Sequence, residues 1–172
     1  MELAPKTAGK FTYADYVTWP EDERWELIDG EAYNMTPAPT SVHQRIAVRI
    51  VTRLEQFLRG APCVPFIAPT DVVLSEKDLV QPDVFVICDP NKITPANIQG
   101  PPDLAIEILS PSTDLKDRRE KKALYERFGV REYLLVSPEG RYVERFFLEA
   151  DGSYGKGEIF GEAEVVTLKS LR

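Results

Sequence analysis

Asp103-Leu-Ala-Ile-Glu-Ile-Leu109 decides how the chain reads. It is a short apolar run with a charge inside it. Side chains alternate along a strand. One face then carries Asp103, Ala105, Glu107 and Leu109, and the other Leu104, Ile106 and Ile108. Both faces are apolar enough for a central strand covered on two sides. Glu107 therefore falls in the interior. An unpaired ionised carboxylate there costs several kcal/mol or more, so it needs a base or a divalent cation. A structural ion pair is the plainer alternative.

The neighbouring segments extend this pattern. Val80–Ile87 is a second apolar strand candidate, and Pro82-Asp83 stands within it, with Asp83 at the head of PDVFVI. Ser110-Pro-Ser-Thr-Asp114 closes the first strand and caps a helix predicted over Leu115–Phe128, stopped by Gly129. A helical residue turns by about 100°. With Lys121 at zero, Phe128 lies about 20° away, Asp117 and Tyr125 about 40° on opposite sides, and Leu124 about 60°. Lys121 thus sits on the apolar face. It can pair with Glu107, hold a water or phosphate, or close an i, i+4 pair with Asp117.

Upstream, Trp25–Ile28 and Glu31–Met35 flank Asp29-Gly30, a two-residue hairpin signal. Glu26 and Glu31 lie on its two arms; either can supply a further carboxylate, and Glu31 carries more weight. Thr12–Tyr16 reads as a short capped helix. Ser41 caps a helix to about Arg59, striped by Val42, Ile46, Ile50, Leu54, Phe57 and Leu58. His43, the only histidine, reads as a surface or cap residue, though a phosphate contact is open to it. With one histidine a Ser-His-Asp or Cys-His triad is not expected. Strands are predicted near Cys63–Ile67, Asp71–Leu74, Glu132–Val136, Tyr142–Leu148 and Tyr154–Ile159, with Cys88–Pro102 as a long surface loop. The order suits one mixed-sheet α/β domain over 1–172, with 1–10 a loose tail.

The 172 residues are 43% apolar with a net charge of −7. That suits one core and argues against a protein coated in nucleic acid, since phosphate binding needs Lys and Arg. The bases are clustered, however, in Lys116–Arg131 and at Arg45, Arg49 and Arg53. Either group reads most simply as a solvated helix face. No apolar run is long enough for a membrane span, and the N-terminus has no signal-like stretch. Cys63 and Cys88, isolated in the sequence, are expected as reduced thiols in a cytoplasmic protein.

Trp25–Met35 (WELIDGEAYNM), Pro82-Asp83, PPDLAIEILSPST, the helix with Asp117, Lys121 and Tyr125, and GVREYLLVSP together resemble the Uma family. These are endonucleases on the PD-(D/E)XK restriction-endonuclease-like fold, and the likeness covers about 11–148. The resemblance implies a central mixed β-sheet flanked by helices. It implies metal ligation by Asp83 and Glu107, with Glu31 a further acidic position, and a homodimer acting on DNA. The superfamily lysine, usually two residues after the strand carboxylate, is replaced by Leu109; the family's lysine on the next helix is matched by Lys121.

Asp83, Glu107, Lys121 and Glu31 are thus the expected catalytic set, with Mg²⁺ or Mn²⁺ as cofactor. The competing expectations are a non-catalytic DNA- or protein-binding module, and a hydrolase of another phosphate ester.

Overall fold

The computed structural model of the chain describes residues 10–35 and 37–171; the expected loose tail falls almost wholly outside them. Their elements are α1 Tyr13–Tyr16, β1 Trp25–Ile28, β2 Glu31–Asn34, α2 Ser41–Phe57, β3 Val64–Ile67, β4 Val72–Ser75, β5 Asp78–Val80 and β6 Val84–Ile87. A 3-10 turn (Pro90–Lys92), β7 Ile98–Gln99 and β8 Leu104–Ile108 follow. Next come α3 Asp114–Lys116, a π-helical stretch Asp117–Lys121, α4 Lys122–Arg127, β9 Glu132–Ser137, β10 Tyr142–Phe147 and β11 Glu158–Gly161.

These strands build two mixed sheets rather than one. The first runs β2-β1-β5-β4-β7 and the second β11-β10-β9-β8-β6-β3. Only β4 with β7 and β8 with β9 pair in parallel. The β1–β2 hairpin forms as expected. Asp29 (φ 51°) and Gly30 (φ 77°) both take positive φ, as a primed two-residue turn demands.

Strand β8 divides the core as its alternation predicts. Leu104, Ile106 and Ile108 pack with Ala47 and Leu54 of α2 and with Leu58 just past its end. Ala105 and Leu109 pack on the other face with Val72, Val80, Leu124, Tyr125 and Tyr133. The second sheet therefore has α2 behind it, with the α3–α4 run and the first sheet in front. Phe11, Tyr13, Tyr16 and Trp19 cover the far side of the first sheet against Leu27, Val73 and Leu79.

The expected Val80–Ile87 strand is two strands in different sheets. Pro82 offers no N–H to a ladder, and Gln81-Pro82-Asp83 carries the chain from β5 across to β6. The Cys88–Pro102 loop also holds structure, because β7 pairs with β4. Thr40, not Ser41, caps α2, accepting from His43 N at 3.2 Å.

The cysteines depart from expectation. Cys63 and Cys88 are joined in a disulfide. Val64 pairs with Ile87 across β3 and β6, so Cys63 and Cys88 are the next opposed pair in that register. Their distance in sequence hid what the register makes adjacent. The bridge closes a separation of 25 residues. Its removal is expected to cost about 3 kcal/mol by loop-closure entropy. Urea unfolding of the oxidised protein against the Cys63→Ser/Cys88→Ser variant measures this; equal midpoints would show that the bridge adds nothing.

Candidate active site

The register of β6 against β8 builds the first half of the site. Val84 pairs with Ile106 and Phe85 with Ala105, so one step further sets Asp83 across from Glu107. The Asp83 N–H points at Glu107 Oε2 (3.4 Å), and the Ile108 N–H donates to Asp83 Oδ2 at 2.8 Å. Asp83 thus takes a backbone donor in the space a further β6 residue would fill. These contacts leave Asp83 Oδ1 and Glu107 Oε2 as the least engaged oxygens.

The helical run supplies the second half. Lys121 is only 1% exposed, and its Nζ lies 2.8 Å from Glu107 Oε1. The Tyr125 hydroxyl donates to the same oxygen at 2.8 Å. Lys121 also lies 2.7 Å from Glu26 Oε1 on β1, and 4.0 Å from Asp117 Oδ1. The sequence placed Lys121 on the inward face and the structure keeps it there, but the backbone is π-helical over Asp117–Lys121. Such stretches often mark functional positions. The Tyr133 hydroxyl donates to the Asp117 carbonyl in this widened turn at 2.9 Å.

Glu26, rather than Glu31, completes the set. Glu26 is fully buried, its Oε2 bound by Lys116 Nζ at 2.8 Å and its Oε1 by the Gln81 N–H at 3.0 Å. Glu31 is exposed and, among the described residues, accepts from the Tyr33 hydroxyl alone, at 3.2 Å. The two share a sheet face, since Glu26 pairs with Tyr33 and Ile28 with Glu31. Yet Glu31 stands at the turn of edge strand β2, while Glu26 lies in β1 between two strands. The signal that found Glu107, a charge within an apolar strand, was also present in Trp25-Glu-Leu-Ile28.

His43 is a second correction. It is no surface histidine: its Nε2 sits 3.0 Å from Asp83 Oδ2, and its Nδ1 is buried without a hydrogen-bond partner among the described residues. The N-terminal turn of α2 places it there.

The charges do not balance. Glu26, Asp83, Glu107 and Asp117 face Lys116 and Lys121. Burial pushes Glu107 up to about 8, against the pull of Lys121 and with the push of Asp83. Burial likewise pushes Asp117 up to about 6, with Lys121 opposing. Burial also acts on Glu26, but Lys121 and Lys116 together outweigh it and hold that carboxyl below its usual range. Burial opposes the charge of Lys121, yet Glu107 and Glu26 hold its pKa well above the usual value.

Among the described residues, no group of three or more His, Cys, Asp and Glu side chains is arranged to hold a metal ion. The donor set at Asp83 and Glu107 nevertheless suits Mg²⁺ or Mn²⁺, hard cations that commonly use one or two carboxylates and keep several waters. A divalent charge there would also offset the excess of buried carboxylates.

A family model described as "Putative restriction endonuclease" matches residues 13–172. The chain belongs to this family, Uma2. An uncharacterised protein of Synechocystis sp. is 31% identical over 151 residues, covering 84% of this chain and 78% of that one. A crystal structure described as a putative nuclease belonging to DUF820, from Anabaena variabilis, superposes with a TM-score of 0.78 at 19% identity. It covers 94% of this chain and 90% of that one. The nuclease-like fold implied by the sequence pattern is thereby shown. Among the described residues no helix is long and apolar enough to cross a membrane.

Two outcomes test the cluster. Lys121→Met strands two buried carboxylates and is expected to cost about 3–5 kcal/mol, read by urea unfolding; Glu31→Ala is expected to change stability by less than about 0.5 kcal/mol. The pH dependence follows from the raised carboxyls. The folded pKa values of Glu107 and Asp117 lie above their unfolded values. Their contribution is fully present below about pH 4, and is lost as pH rises through about 6 and then about 8. The unfolding midpoint without divalent cations is therefore expected to fall across that window, and Glu107→Gln is expected to flatten the fall.

Proposed function

We propose that the chain is a metal-dependent endonuclease that hydrolyses DNA phosphodiester bonds. The observation that carries this reading is the opposition of Asp83 and Glu107 on adjoining strands, with Lys121 bonded to the inner oxygen of Glu107. Asp83 and Glu107 would hold Mg²⁺ or Mn²⁺, which when bound polarises a phosphate and generates hydroxide from water near neutral pH. The residues of the chain do the rest. Ile108 N–H and His43 both hold Oδ2 of Asp83. Tyr125 and Lys121 fix Glu107, leaving its other oxygen toward Asp83. The Lys121 ammonium supplies positive charge beside the place where phosphate charge develops. Glu26 keeps that ammonium charged and in place.

The proposed enzyme is a homodimer, so that each subunit addresses one strand of a duplex, with residues 1–172 acting as one domain. Its DNA substrate argues for the cytoplasm, where a reducing thiol pool would be expected to open the Cys63–Cys88 bridge.

One observation favours a second reading. Lys121 is already bonded to both Glu26 and Glu107, so this part of the cluster closes on itself without a metal ion. That suits a non-catalytic DNA- or protein-binding module on the nuclease fold.

Nicking of supercoiled plasmid in Mg²⁺ and in Mn²⁺, with calorimetric Mn²⁺ titration alongside, separates the two. Wild type is expected to nick and to bind Mn²⁺. Glu107→Gln of verified fold is expected to lose nicking by at least about 100-fold and to lose Mn²⁺ binding; changing a residue that merely orients a metal ligand typically costs about 10–100-fold. Wild type that neither nicks nor binds Mn²⁺ would leave the module.

A further inference from the structure

The two clusters of basic residues have opposite fates. The cluster on the α3–α4 run is used inside the molecule. Lys116 and Lys121 serve Glu26 and Glu107. Arg118 binds Asp114, Glu144 and the Tyr142 hydroxyl. Arg127 pairs with Asp78, Arg131 with Asp103, and Lys122 lies 4.6 Å over the Phe146 ring. These cations are largely committed to holding the fold.

The row on α2 is not. Arg45, Arg49 and Arg53 are exposed, and none has a carboxylate within ion-pair distance among the described residues. They repeat every four residues on the side of α2 turned away from the buried Ala47 and Leu54. Arg49, Thr52, Arg53 and Gln56 line an open hollow on that face. Arg49, Arg53 and Gln56 offer donors there, while the Thr52 hydroxyl donates to the Val48 carbonyl at 2.7 Å. The helix itself carries one acid, Glu55. In a chain of net charge −7, such an unneutralised row stands out from its surroundings.

We propose that this face of α2 is a phosphate track that seats a nucleic-acid backbone independently of base sequence. Four helical residues rise about 6 Å. Consecutive phosphates of one duplex strand advance about 3.4 Å along the axis, and the turn of the backbone carries them further apart, to roughly the same step. Successive arginines on α2 therefore meet consecutive phosphates. Guanidinium forks match phosphate oxygens, and Gln56 adds a neutral donor of the kind found at backbone contacts. The row begins two residues beyond His43, so the same rigid helix holds the track and the histidine at Asp83. The proposal shares the nucleic-acid partner of the nuclease reading but does not need cleavage.

The test uses the full chain in EDTA, so that nothing is cut. Fluorescence anisotropy follows its binding to duplex and single-stranded oligonucleotides of unrelated sequence over a salt series. The triple variant Arg45→Ala/Arg49→Ala/Arg53→Ala is compared with Lys77→Ala/Lys156→Ala, which removes exposed cations elsewhere. Alanine suits an exposed helix position, so the fold is expected to stand. The triple variant is expected to bind all sequences more weakly, and to lose about 0.9 from the salt slope per phosphate contact removed, about 3 for duplex. The control is expected to keep the wild-type slope. An unchanged slope in the triple variant, an equal loss in the control, or no binding by wild type would overturn the track; the last result, with an acidic protein captured through the same arginines, would assign the row to a protein partner. Binding that depends on the arginines without nicking in Mn²⁺ would leave the track standing and end the nuclease reading. Nicking unaffected by the triple substitution, with an unchanged slope, would do the reverse.

Discussion

The ammonium of Lys121 is the interaction on which the rest depends. It reaches Glu26 on the first sheet at 2.7 Å and Glu107 on the second at 2.8 Å, from a helical run packed against both. Three pieces of structure thus meet at one buried charge. Such a charge is expensive to dehydrate, and its partners repay the cost only if the geometry holds. A well-packed apolar trio would serve stability as well or better.

Around that charge the carboxylates exceed the cations. Burial keeps Glu107 and Asp117 inclined to hold protons, while Glu26, nearer two lysines, stays ionised. The arrangement separates a structural carboxylate from a responsive one within a few ångströms. Perturbed groups gathered in this way are a common mark of a working site, and the fold shared with family members gives that mark a context.

Much of this was legible in the chain, and the reasons are specific. Glu107 stood out because its neighbours fix both the strand and its burial. Lys121 followed from helical spacing, and the π-helical turn did not displace it from the inward face. Glu26 carried the same signal as Glu107, but a four-residue strand beside a turn does not say which arm of the hairpin will be central and which will be the edge. His43 could not be placed, since its contact depends on how the start of α2 meets the end of β6. The Cys63–Cys88 bridge and the passage of Gln81-Pro82-Asp83 between sheets are likewise matters of register between distant segments. Local pattern reports which residues are buried; it is nearly silent on which buried surfaces face each other.

The distances in sequence between the members of the cluster have a temporal meaning. Glu26, His43, Asp83, Glu107 and Lys121 come from five separate segments, and β8 finds its parallel neighbour only when β9 has been made. Contacts so far apart in the chain form slowly and late, because loop closure precedes any reward. A growing polypeptide on the ribosome carries Glu26 and Asp83 well before it carries the lysine at the centre of the cluster. The assembled centre therefore comes into being only once the chain has passed β9, and shorter fragments left by interrupted synthesis or proteolysis would hold its parts without its arrangement.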